Sequence, residues 1–199
     1  KTLKIYFDSI RKKQPETPVF LIGHSMGGLI AAAYLLEHQD ELSGAVLSGP
    51  AIKIPENISK VTILAGKIFS VFLPKLGVAP LVFEGIGRDP AVVDAYINDP
   101  LVYNGKITAR LAAEMLKTMG HVREQAGKIK LPILIAQGSQ DSLVDPGGAQ
   151  LIYDRVGSHD KTLKLYDGFY HEIFNEPEHA LVLKDVRSWI EKQLEKTGH

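Results

Sequence analysis

Four apolar residues, Val19-Phe20-Leu21-Ile22, run directly into Gly23-His24-Ser25-Met26-Gly27, and no other stretch of the chain constrains its fold so tightly. An apolar run without alternation predicts a strand covered on both faces, as in a parallel sheet. The following residues, Met26–Glu37, predict a helix that opens with small residues and can pack closely on that sheet. G-x-S-x-G between a strand and a helix is the pattern of a nucleophile elbow, in which a serine on a tight turn exposes its hydroxyl at the sheet edge. Gly23 and Gly27 are expected to let the strand and helix backbones approach each other. The chemistry expected of such a serine is acyl transfer.

The rest of the chain repeats strand and helix. Residues 1–13 have helical spacing, with Leu3, Ile5, Tyr6 and Ile10 expected on one side, and Pro15 and Pro18 end the segment. Ala45–Ser48, Pro132–Gln137 and Thr162–Tyr166 read as further strands. Pro146 is expected to open a helix over 147–156, with Asp145 as its N-cap. His179–Lys196 closes the chain as an amphipathic helix with Leu181, Val182, Val186, Trp189, Ile190 and Leu194 inward. This alternation predicts parallel β/α units in an α/β fold, and 199 residues suffice for one sizeable core. The stretch from 53 to 127 breaks the pattern. It is mostly helical in character, rich in glycine and proline, and begins with the apolar run Val61–Leu73. Because it leaves from a strand's carboxyl end, where open α/β sheets bind ligands, it is expected to form a helical cap. The expected organisation is a core part at 1–52, a cap at 53–127 and a second core part at 128–199.

A serine hydroxyl needs a neighbouring base, and the base an orienting carboxylate. In hydrolases of this type the partners follow in the order Ser, Asp, His. Asp141, in Gly138-Ser139-Gln140-Asp141, lies just past the third strand, and His171, in Asp167-Gly168-Phe169-Tyr170-His171, just past the fourth. All three groups therefore fall on one sheet edge, with Ser25 as nucleophile, Asp141 as acid and His171 as base. The backbone N–H of Met26, in the first turn of the following helix, is expected to hold the oxyanion. Asp167 reads as a turn residue before Gly168, and His24 as a packing or hydrogen-bonding group of the elbow pointing away from the serine. His38, His121, His159, His179 and His199 read as surface or helix-end residues. No metal site or cofactor is expected, because no histidines and carboxylates have ligand spacing and no phosphate-binding loop precedes a lysine. Lys+Arg and Asp+Glu balance at 23 each, which gives no general pull toward nucleic acid.

Gly-His-Ser-Met-Gly-Gly at 23–28, Val-Leu-Ser-Gly-Pro at 46–50, Asn-Asp-Pro-Leu at 98–101, Gln-Gly-Ser-Gln-Asp at 137–141 and Asp-Lys-Thr-Leu-Lys-Leu-Tyr-Asp-Gly-Phe-Tyr-His at 160–171 resemble, in order, the monoacylglycerol lipases of the α/β-hydrolase superfamily. The resemblance runs from about residue 1 to 195. It implies hydrolysis of monoacylglycerol by the triad named above, no cofactor, a helical cap over an acyl tunnel, and contact of that cap with membranes. It leaves a lysophospholipase, a general carboxylesterase, an acyltransferase or a non-catalytic relative open on the same scaffold. It also implies N-terminal strands and a second oxyanion donor that the 24 residues before Ser25 do not supply. The expectation is therefore an α/β-hydrolase fold without its N-terminal strands, completed by upstream residues of the same enzyme. Compartment is not legible, a cytoplasmic or peripherally membrane-associated enzyme being favoured.

Overall fold

Helix α1 (Thr2–Lys13) leads into strand β1 (Phe20–His24), helix α2 (Met26–His38) and strand β2 (Gly44–Ser48). The computed structural model describes residues 1–53, 68–80 and 83–198. After β2 come strand β3 (Gly77–Pro80), helix α3 (Pro90–Asn98), strand β4 (Lys106–Thr108) and helix α4 (Ala109–Gln125). Strand β5 (Ile133–Gly138), helix α5 (Gly147–Arg155), strand β6 (Lys161–Tyr166) and helix α6 (His179–Thr197) complete the order. Among the described residues the main sheet has the order β1-β2-β5-β6, and every pairing in it is parallel.

The two central strands explain why helices cover both sheet faces. β2 and β5 are buried along their whole length, and successive side chains point to opposite sides. Leu47, Ile133 and Ile135 join one core with Leu29 and Leu35 of α2, Val122 of α4 and Ile152 of α5. Val46, Leu134 and Ala136 join the other with Val182, Val186 and Trp189 of α6. Each fully buried leucine or isoleucine contributes about 2 kcal/mol. The inward stripe of α6 is Val182, Val186, Trp189 and Gln193, all buried. Leu181, expected inward, is half exposed, because a helix face admits positions three and four apart and Leu181 precedes that register. In α1 the buried residue is Phe7, whereas Ile5 and Tyr6 are 62% and 65% exposed, so the inward line is Leu3, Phe7 and Ile10.

Between β2 and β5 the chain is not purely helical. β3 and β4 pair antiparallel as a small second sheet, which the helical reading of this stretch missed. Both strands are very short; β3 alternates between half-buried and exposed residues, whereas β4 exposes Lys106 and half-buries Ile107 and Thr108. Thr108 caps α4 by accepting from the Leu111 N–H, and Asp89 caps α3 by accepting from the Ala91 N–H. The far end of α4 is core, since Met119 and Val122 pack among α2 and α5 side chains. Of the apolar run expected at 61–73, residues 61–67 lie outside the described residues.

The glycines flanking the serine have different duties. A Cβ on Gly23 would sit 2.4 Å from the Gly27 carbonyl oxygen and 2.9 Å from the Ala31 Cβ. A Cβ on Gly27 would meet nothing within 4 Å, and the close neighbour on the helix is instead Gly28, 3.0 Å from Pro50. Gly23 and Gly28, rather than Gly23 and Gly27, set the approach of strand and helix. Gly23→Ala is therefore expected to lower the melting temperature of this chain sharply, and Gly27→Ala to leave it unchanged or higher, in a side-by-side thermal melt.

Candidate active site

Ser25 occupies the turn between β1 and α2 at φ 54°, ψ −119°, and it is the only non-glycine with positive φ among the described residues. That conformation costs on the order of 1–3 kcal/mol and persists only where its surroundings enforce it. Here the enforcement is explicit. The Ser25 N–H donates to the Ser48 carbonyl at 2.9 Å, and the Ser25 carbonyl accepts from Ala51 N–H at 3.1 Å and Leu29 N–H at 3.2 Å. The end of β2 and the first turn of α2 thus grip one residue from both sides. α2 begins at Met26, whose N–H is among the first-turn donors without an intrahelical acceptor, at the positive end of the helix dipole.

Asp141, after β5, and His171, after β6, meet further along the same sheet edge. The His171 Nδ1 lies 2.7 Å from Asp141 Oδ2, with both side chains buried. A carboxylate only accepts, so Nδ1 carries a proton, and Nε2 is the ring nitrogen left to act on a substrate or nucleophile. Asp141 also accepts from Gln137 Nε2 at 2.7 Å and from the Leu143 and Val144 N–H groups at 2.9 and 3.0 Å. These donors offset the cost of burying an anion and fix its orientation. Gly138 makes the meeting of the two loops possible: a Cβ there would fall 2.2 Å from the Tyr170 oxygen and 2.4 Å from the Phe169 oxygen. Ser139 ties the same loops, accepting from the Gly168 N–H at 2.9 Å and reaching Asp167 at 3.2 Å. Asp167 is thus a turn residue beside Gly168, itself at φ 75°.

The segment after β2 links the serine to the histidine. Gly49, at φ 49°, follows the residue that holds the Ser25 N–H, and a Cβ on it would touch the rings of His171 and His24 at 3.4 and 3.5 Å. Ser25 and His171 are both fitted against residues 48–51. His24 makes one ring hydrogen bond beside the elbow, its Nδ1 lying 3.1 Å from Ser48 Oγ at the end of β2. It also stacks obliquely on His171, with ring centroids 4.7 Å apart, a contact that sequence spacing does not reveal. Asp145 accepts from the Gly147 N–H at 2.8 Å and pairs with Lys53 at 2.7 Å. Pro146, rather than Asp145, is the N-cap residue of α5, which starts at Gly147 as expected.

The loop carrying His171 is held from behind by the insertion. The N–H groups of His171 and Glu172 donate to the carbonyls of Gly85 and Ile86 at 3.4 and 2.7 Å. The carboxylate of Glu176 is fully buried and accepts from the Tyr170 N–H at 2.7 Å and the Arg88 Nε at 2.8 Å. The Arg88 guanidinium lies 4.9 Å above the Phe169 ring. Among the described residues, no three histidine or carboxylate side chains are arranged to hold a metal ion.

The model of the Hydrolase_4 family, described as serine aminopeptidase, S33, matches residues 1–178. The monoacylglycerol lipase of Mycolicibacterium smegmatis is 41% identical over 180 residues, which are 90% of this chain and 64% of that protein. The monoglyceride lipase of Mus musculus is 35% identical over 97% of this chain and 65% of its own length. This chain thus spans just under two thirds of the length of these relatives. The crystal structure of Paleococcus ferrophilus monoacylglycerol lipase superposes with a TM-score of 0.86 at 30% identity, covering 96% of this chain and 74% of that one. The fold is that of the α/β hydrolases.

Removing the Arg88 guanidinium would leave the buried Glu176 carboxylate without its charged partner. Arg88→Ala is expected to cost about 3 kcal/mol in urea denaturation. Hydrogen exchange should rise first at the Tyr170 and His171 amides, and protection unchanged there would show that Arg88 does not secure this loop.

Proposed function

We propose that this chain, which belongs to the Hydrolase_4 (serine aminopeptidase, S33) family, hydrolyses carboxylic esters of lipids through Ser25, with monoacylglycerol cleaved to glycerol and free fatty acid. The observation that carries this reading is the short Asp141–His171 contact, packed against the same residues 48–51 that clamp the Ser25 turn. The choice of monoacylglycerol rests on the names of two of these relatives, the Mycolicibacterium smegmatis and Mus musculus enzymes.

In this reading the His171 Nε2 takes the Ser25 hydroxyl proton as the oxygen attacks the ester carbonyl. The carbonyl electrons move to oxygen, and the oxyanion is met by the Met26 N–H at the start of α2. Asp141, bonded to Nδ1, keeps the ring oriented and balances the imidazolium that forms. The tetrahedral intermediate collapses, His171 protonates the departing glycerol oxygen, and an acyl-enzyme remains on Ser25. Water, deprotonated by the same imidazole, then releases the fatty acid and restores the serine. Such a mechanism requires no cofactor.

Residues 53–127 act as the cap in this reading. Their described part exposes Val71, Phe72 and Leu73, Phe72 being 77% exposed. An apolar surface of this kind can rest on a lipid layer and receive substrate from it. The contact proposed is peripheral; among the described residues no helix is long and apolar enough to cross a membrane.

Ser25→Ala is expected to lower hydrolysis of both p-nitrophenyl butyrate and vesicle-borne monoacylglycerol by at least about 10⁴-fold. The unaltered enzyme should turn over monoacylglycerol faster than lysophospholipid or short soluble esters. Retained activity in Ser25→Ala would overturn the nucleophile assignment, and a preference for lysophospholipid would overturn the substrate assignment.

A further inference from the structure

Glu172 follows the candidate base directly in the chain, yet the mechanism above gives it no task. Its side chain is mostly buried and turns toward His24, placing Oε1 3.2 Å from the His24 Nε2. The contact has ion-pair separation without the alignment of a full hydrogen bond. A carboxylate only accepts, so the network assigns the His24 proton to Nε2, and Nδ1 then accepts from the Ser48 hydroxyl. The other Glu172 oxygen accepts from Asn175 Nδ2 at 3.1 Å, and its backbone N–H is fixed to Ile86. His24 is therefore hydrogen-bonded at Nδ1 and faces the Glu172 carboxylate at Nε2, and its ring forms one wall of the space in which the His171 ring sits.

From this geometry we propose that Glu172 and His24 act as a coupled pair that positions the His171 ring, so that His171 works against two carboxylates, Asp141 in direct contact and Glu172 beyond the stacked imidazole. The inference rests on reading Ser25, Asp141 and His171 as the catalytic set. A positive charge develops on His171 during attack, and a fixed negative group beyond the stacked His24 ring stabilises it at a buried position. Burial alone would push the Glu172 carboxyl up, but contact with His24 and the nearby His171 imidazole outweigh it and hold the group below its ordinary value. Glu172 thus remains charged through the range in which an imidazole titrates. The other titratable groups around this loop are Asp141 at Nδ1, Glu176 and Arg88 behind Tyr170, and the Tyr96 hydroxyl of α3, whose phenol burial and Glu172 push up.

The sign follows directly. Removing a negative charge near His171 makes its imidazolium less stable, so its titration midpoint falls and the acid limb of kcat/KM moves to lower pH. In Glu172→Gln, the midpoint of the His171 Cε1–H resonance, assigned by its loss in His171→Asn, is expected to move to lower pH than in the unaltered protein. On a soluble ester, Glu172→Gln and His24→Asn should each lower kcat by about three- to tenfold with KM nearly unchanged. The double variant should be no slower than the slower single one. A midpoint that stays put in Glu172→Gln, or losses that simply multiply in the double variant, would overturn the coupling. Because the resonance titrates whether or not ester is turned over, this outcome is separable from failure of the Ser25 assignment.

Discussion

Ser25 holds φ 54°, ψ −119°, a backbone conformation that a residue bearing a Cβ adopts at a cost of about 1–3 kcal/mol, and the packing around it is arranged to keep it there. The clamp has three parts: the Ser48 carbonyl, the Ala51 N–H and the first turn of α2. Its foundation is the close approach of Gly23 to Gly27 and Ala31, which lets the helix start directly above the strand end. Against the strain stand Leu29 and Leu35 of α2, both fully buried, at about 2 kcal/mol each. The core is sufficient to hold the turn, and the turn is what aims a serine out of the sheet.

The same segment after β2 connects this turn to the histidine. Gly49, at φ 49°, turns the chain beside both imidazole rings, close enough that a Cβ on it would be in van der Waals contact with them. Beyond it, the His171 loop is fixed by contacts from several directions: Asp141 and Gly138 from the β5 end, Gly85 and Ile86 from the insertion, and Glu176 with Arg88 beneath. Most of these are backbone hydrogen bonds or buried charged contacts, so the ring has little freedom to drift. In the proposed mechanism that rigidity matters because a base displaced by an ångström loses much of its rate advantage.

Much of this was legible before the structure. The strands expected at 19–22, 45–48, 132–137 and 162–166 match β1, β2, β5 and β6 to within one or two residues. β2 and β5 are buried throughout and carry the apolar run of a covered parallel strand, whereas β1, expected to be covered on both faces, leaves Ile22 half exposed at the sheet edge, and β6 alternates polar and apolar residues. The turn glycines and the polar residues after the last two strands located Asp141 and His171, which the structure brings into contact. What escaped was long-range or locally ambiguous. Arg88 and Glu176 meet across the fold, and neither shows a local pattern. β3 and β4 are too short to establish a period. In α1 the crowding of apolar residues between Leu3 and Ile10 allowed the wrong face to be chosen. Gln137 could have been found, since a polar residue closing a fully buried strand requires a partner, and its partner is Asp141.

The central claim, that the strained turn and the His171–Asp141 pair form one working nucleophile, is tested most directly by covalent labelling. The protein would be treated with an alkyl fluorophosphonate and its peptides examined by mass spectrometry. The account requires a single adduct on the peptide containing Ser25, lost in His171→Ala. An adduct on another serine, no adduct at all, or labelling of Ser25 that persists undiminished without His171 would contradict it.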